Sequence, residues 1–78
     1  LRIISSGRGQ EITERLRREG FGVTEVACRG RNGVVDLLNC NVLRKDTELV
    51  TNLATRVDHH CFITVENVVS VRRGFWHR

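Results

Sequence analysis

Apolar and polar positions alternate in short blocks along this chain, and each block carries the spacing of one kind of secondary structure. The opening "LRIIS" is a β-rich run that stops at Ser5, Ser6 and Gly7. From Gly9 to Glu19 helix formers dominate, Ile12 and Leu16 give a narrow apolar stripe, and Gly20 stands where a left-handed C-terminal cap belongs. "FGVTEVACR" and "VVDLLNCNVL" both read as strands. Asn32-Gly33 between them predicts a tight hairpin, because a type I′ turn needs positive φ at both central positions. Past "LRK", Asp46 is the expected N-cap, Glu48 suits the positive end of a helix dipole, and Leu49, Val50, Leu53 and Val57 form a second helical stripe. "CFITVE" reads as a fourth strand, and "NVVSVRRGFWHR" as a turn or short helix with a glycine-broken tail. The order β-α-β-β-α-β over residues 1–78 predicts a single α+β domain of the ferredoxin-like kind, a four-stranded antiparallel sheet with two helices on one face.

The period-2 pattern also assigns faces. Leu38, Cys40 and Val42 share one side and, being wholly apolar, are expected under the helices, while Val35, Leu37, Asn39 and Asn41 take the other. A strict two-residue turn at Asn32-Gly33 pairs Arg29 with Asp36 and sets Glu25 opposite Cys40, in the core, where an unpaired carboxylate is costly. A one-residue bulge near Gly30 buries Val26 and Cys28 instead, and is the favoured register. In either case the uncovered face carries Val35 and Leu37, with Ile4 and Phe62 expected beside them. Four apolar side chains facing water mark a candidate interface.

Size and charge narrow the picture. A 78-residue chain buries only about 60% of the surface its unfolded form exposes, which argues against a large enclosed pocket. No signal-peptide pattern is present, and the first residue is not Met, so the expectation is a domain cut from something longer. The net charge of +4 suits an anionic partner. Much of it is absorbed by acid-first i,i+4 pairs, Glu11 with Arg15 and Glu14 with Arg18, leaving Arg29/Arg31 and Arg72/Arg73 as basic patches. Cys28, Cys40 and Cys61 are odd in number and widely spaced, which predicts a reducing compartment and small apolar packers.

Candidate chemistry concentrates in "CRGRNGVVD". As an anion cradle, Gly30 and Gly33 let backbone N–H groups approach a phosphate while Arg29, Arg31 and Arg8 supply charge and Asn32 a further polar group. No Walker or Rossmann spacing is met, and no helix follows, so a hairpin with charged shoulders is the better account. Ser6-Gly7-Arg8-Gly9 with Asn32 superficially resembles the loop arginine and asparagine of acylphosphatases, which share the element order, but their Gln-Gly-Val and Phe-Arg signature is missing. The "DHHC" at Asp58 to Cys61 suggests a metal, yet adjacent residues on a strand point to opposite faces and no second ligand pair follows. RNA-recognition domains stack bases on central-strand aromatics, and "VVDLLNCNVL" has none, so no nucleic acid is expected.

Taken together, "LRIISSGRGQEITERLRREGFGVTEV", the Gly-rich hairpin, "VLRKDTELVTNLATRVD" and "CFITVENVVSVRRGFW" resemble the C-terminal soluble domain of YitT-type and related bacterial membrane proteins. The most specific parts are Gly22-Val23-Thr24, Arg44 to Asp46, and Val71 to Phe75. The resemblance implies a ferredoxin-like domain on the cytoplasmic face of the membrane, attached after transmembrane helices. It supplies no catalytic residues. The expectation is a non-enzymatic regulatory or assembly domain, without metal or cofactor, that associates with copies of itself or with its own transmembrane portion through Ile4, Val35, Leu37 and Phe62. The alternatives are a sensor like the PII signalling proteins, binding a nucleotide-like anion at Arg8, Arg29, Gly30, Arg31, Asn32 and Gly33, and an acylphosphatase-like hydrolase.

Overall fold

A computed structural model describes residues 1–31 and 33–66. The elements follow the expected order: β1 (Arg2–Ser5), α1 (Gly9–Arg18), β2 (Val23–Gly30), β3 (Gly33–Cys40), a 3-10 turn (Arg44–Asp46), α2 (Thr47–Val57) and β4 (Phe62–Thr64). Among the described residues all strand pairings are antiparallel, in the sheet order β2-β3-β1-β4. The β1–α1–β2 connection therefore steps over β3, which is the split crossover of the ferredoxin-like fold. The expected turn or short helix over residues 67–78, with Arg72, Arg73 and the motif at Val71 to Phe75, lies outside the described residues.

The core forms where the two helical stripes meet one face of the sheet. Ile12 and Leu16 of α1 and Val50, Leu53 and Ala54 of α2 pack on Ile3, Val23, Leu38 and Cys40, all of them buried. Leu49, expected in the α2 stripe, is 47% exposed, and Ala54 takes its place. Buried Val50, Leu53 and Ala54 with half-buried Val57 have the i, i+3, i+4, i+7 spacing of one helix face, and Leu49 falls beside it. Helix α1 ends as its glycine suggests. Gly20 has φ +95, its N–H bonds the Arg17 carbonyl, and the Phe21 N–H reaches back to Leu16. This is a Schellman cap, and Phe21 packs against the core beside it.

The hairpin register differs from expectation. The ladder closes on Gly30 opposite Gly33, and no bulge interrupts the pairing. Gly33, with φ +123, belongs to the strand rather than to the turn centre. Val23 now faces Cys40, and Glu25 faces Leu38. The carboxylate escapes burial because β2 is an edge strand that runs out from under α1, and of its residues only Val23 is buried. Val26 and Cys28, expected in the core, lie on the opposite face. The expected acid-first pairs on α1 are also replaced. Among the described residues the ion pairs are Arg8–Glu11 at 3.7 Å, Arg15–Glu19 at 3.9 Å and Arg2–Glu66 at 3.8 Å, each between partly exposed side chains.

Candidate functional site

The face of the sheet turned away from the helices is built from alternate residues of all four strands. Register places Phe62 opposite Ile4, Ile4 opposite Leu37, and Leu37 opposite Val26. Directly facing residues share a side of the sheet, so these four form one apolar row from β4 to β2. Val35 and Cys28 pair in the next row toward the hairpin. The row beyond Ile4 is polar, with Thr64, Arg2, Asn39 and Thr24, and the Arg2 Nε donates to Asn39 Oδ1 at 3.5 Å. No described residue covers this side. Phe62 is 64% exposed and Val26 44%, while Ile4, Val35 and Leu37 are shielded in part by their neighbours in the sheet. Val26 is the member that sequence reasoning missed, because the favoured bulge had turned it inward.

Among the described residues, those singled out as an anion cradle are spread over the hairpin and the start of α1. Arg29 stands opposite Val34 on the side of the sheet that carries the helices, and Arg31 lies in the connection. Arg8 sits at the start of α1 and pairs with Glu11. Ser5 at the end of β1 is level with Asp36, and Gly33 is three residues further along β3, about 10 Å at the strand rise. Asn32 lies outside the described residues. Gly33 is where the hairpin requires glycine, because its φ of +123 lies in the region that side chains rarely adopt.

A polar joint unforeseen from the sequence ties β1 to the end of α2. Ser5, 1% exposed, donates its hydroxyl to Asp58 Oδ2 at 2.7 Å and accepts from the Arg8 N–H at 3.0 Å. Asp58 Oδ1 accepts from the His60 N–H at 2.9 Å, and the Asp58 carbonyl accepts from the Cys61 N–H at 3.2 Å, which folds the α2–β4 turn. The Ser5 hydrogen bond holds the Asp58 carboxyl below its usual range against the opposing pull of burial, with help from the His60 N–H and the charges of His60 and Arg8. Its chemistry is that of a staple. The serine hydroxyl is buried and given to a carboxylate, with no imidazole among the described residues bonded to it.

The remaining reactive side chains are separated. His59 and His60 lie in the turn before β4 rather than in a strand, and both are exposed. Among the described residues no group of three His, Cys, Asp or Glu side chains converges as a metal site requires. Burial pushes the Cys40 thiol up, and burial together with the Asp58 charge does the same to Cys61. Cys28, half-buried, is a free thiol like the other two. Among the described residues no helix is long and apolar enough to cross a membrane.

Residues 21–73 match the family model described as "Uncharacterized protein conserved in bacteria (DUF2179)". The match starts at Phe21, the residue closing the α1 cap, and takes in the hairpin, α2 and β4. Similarity to individual proteins extends across β1 and α1 as well. The chain is 39% identical over 66 residues to a UPF0316 protein of Alkaliphilus metalliredigens, covering 85% of this chain and 38% of that protein. It is 30% identical over 76 residues to a UPF0316 protein of Acetivibrio thermocellus, 97% of this chain and 37% of that one. A UPF0316 protein of Alkaliphilus oremlandii is 31% identical over 74 residues, 95% of this chain and 43% of the relative. The chain thus spans roughly two-fifths of the length of these curated relatives. With a match over more than half its length, the chain belongs to the DUF2179 family of uncharacterised bacterial proteins.

Proposed function

We propose that this chain is a non-enzymatic regulatory or assembly domain, carried on the cytoplasmic face of a bacterial membrane protein, that works by docking its open sheet face against a second copy or against its parent's membrane portion. The observation carrying this reading is the apolar row Phe62–Ile4–Leu37–Val26, which crosses every strand with no described residue over it. Contiguous apolar surface of this kind is characteristic of interaction sites. The membrane setting is supported by the resemblance to the C-terminal domain of YitT-type proteins. In the relatives, the matched segment is the smaller part of a longer protein. Sedimentation velocity of the chain tests the self-association: a concentration-dependent shift that Leu37→Lys weakens is expected. A strict monomer up to about 1 mM, the range of the weakest specific contacts, overturns it.

A second reading, a sensor of a phosphate-bearing small ligand, is favoured by Arg29 and Arg31, both exposed and without an acidic partner among the described residues. It predicts thermal stabilisation by one member of a nucleotide panel, rising with ligand concentration. Melting unchanged by every nucleotide at millimolar levels removes it.

A further inference from the structure

We infer that β2 is a self-pairing edge, along which two copies of this chain join antiparallel about a two-fold axis at Ala27. β2 is eight residues long and stands at the border of the sheet. The ladder tells which of its backbone groups face outward. The Cys40 N–H is bonded to the Leu1 carbonyl, so Cys40, Leu38, Asp36 and Val34 turn their N–H and C=O groups away from β2. The alternate residues Asn39, Leu37, Val35 and Gly33 bond β2, through Thr24, Val26, Cys28 and Gly30. Val23, Glu25, Ala27 and Arg29 are left pointing out of the sheet. Arg17 Nη2 donates to the Val23 carbonyl at 2.9 Å and closes the edge at that end. The outward groups of Glu25, Ala27 and Arg29 have no partner among the described residues.

Proteins usually blunt such an edge with proline, lysine or a bulge, and β2 carries none of these. The charges it does carry are opposite in sign and equally spaced from Ala27. Laid antiparallel on itself with Ala27 facing Ala27, the strand sets Glu25 against Arg29 of the second copy, and Arg29 against Glu25. An axis at Glu25 or at Arg29 brings like charges together, which is unfavourable. With the axis at Ala27, all three outward residues meet outward residues, and each facing pair exchanges two backbone bonds, about six in all. On the open face, Val26 meets Cys28 of the second copy, so the apolar row continues across the seam. The interface is isologous and therefore closes as a dimer. The inference deepens the assembly reading by naming a second copy of this chain as partner, but it uses the border of the sheet rather than its open face.

Charge reversal tests it by sedimentation between about 10 µM and 1 mM. Glu25→Arg alone and Arg29→Glu alone are each expected to weaken the dimer at least about tenfold, and the double reversal to return it to within about threefold of the original. Both residues are exposed, and a circular dichroism melt of each variant shows that the fold is kept. In a Cys28→Ser, Cys61→Ser background, Ala27→Cys treated with copper phenanthroline is expected to give a covalent dimer, because facing α-carbons of such a pair lie about 5.5 Å apart, within disulfide range. A monomer at every concentration overturns the inference, as does a dimer indifferent to both reversals or not restored by the double one. If Leu37→Lys dissolves the dimer while the reversals are silent, the open face is the contact and the edge is not. The converse result retains the edge and removes the face.

Discussion

Replacing Ser5 with alanine separates the two bonds of the joint beneath β1. The hydroxyl is 1% exposed, gives its proton to Asp58 and takes one from the Arg8 N–H. Ser5→Ala strands the part-buried Arg8 N–H, at a cost of about 1–3 kcal/mol. It also removes a bond to a carboxylate, a type worth about 1.5–3 kcal/mol, and here near the low end because Asp58 keeps the His60 N–H and some solvent. The expected total is about 2.5–4.5 kcal/mol, a large share of the roughly 4–12 kcal/mol available to a domain of this size. The two parts differ in their pH dependence. The Ser5 bond lowers the Asp58 pKa in the folded state, so its stabilisation is complete above the unfolded carboxyl value, about 3.9, and fades as pH falls through the lower folded value. The Arg8 part does not titrate. Urea unfolding of both proteins, followed by circular dichroism at steps between about pH 7 and pH 2, is therefore expected to show a gap constant at neutral pH that narrows below about pH 4 without closing. A gap that stays level across the range refutes the Asp58 linkage, and no gap at all refutes the joint.

Two further substitutions probe the packing of α1. A methyl group at Gly9 overlaps the Asp36 side chain close to its own backbone, so Gly9→Ala is expected to lose about 1–2 kcal/mol. That figure sets an overpacking cost of about 1–3 against a helix gain below about 1 kcal/mol, and an unchanged or higher urea midpoint contradicts it. Thr13 is buried with its hydroxyl unpartnered among the described residues, so the isosteric Thr13→Val is expected to raise the melting temperature by about 4–8 °C, for about 1 kcal/mol gained. A fall in melting temperature means that the hydroxyl has a partner.

Much of the frame was readable along the chain because it depends on near neighbours. The Ile12/Leu16 stripe, the Gly20 cap and the period-2 run of β3 each follow from residues within a turn or two of one another, and together they set the element order and the split crossover. Alternation within β1 and β3 was enough to send Ile4, Val35 and Leu37 to the same face. The candidate interface was thus largely visible, save for Val26. That residue was misplaced because two glycines in the hairpin permit closure at more than one position, and the carboxylate used to choose between them proved to lie beyond the helices.

What the local pattern of apolar residues, glycines and charges determined by itself is the sequence of strands and helices and which side of each is greasy. Those properties are settled by spacing within a few residues, before any long-range contact forms. The tertiary structure decided what depends on groups distant in the chain. It chose Ala54 over Leu49 by the way α2 rests on the sheet, brought Ser5 to Asp58, and left β2 at the border with half its backbone facing out. A hydrogen-bond partner 53 residues away, or a strand that outruns its helix, leaves no mark on the neighbouring sequence.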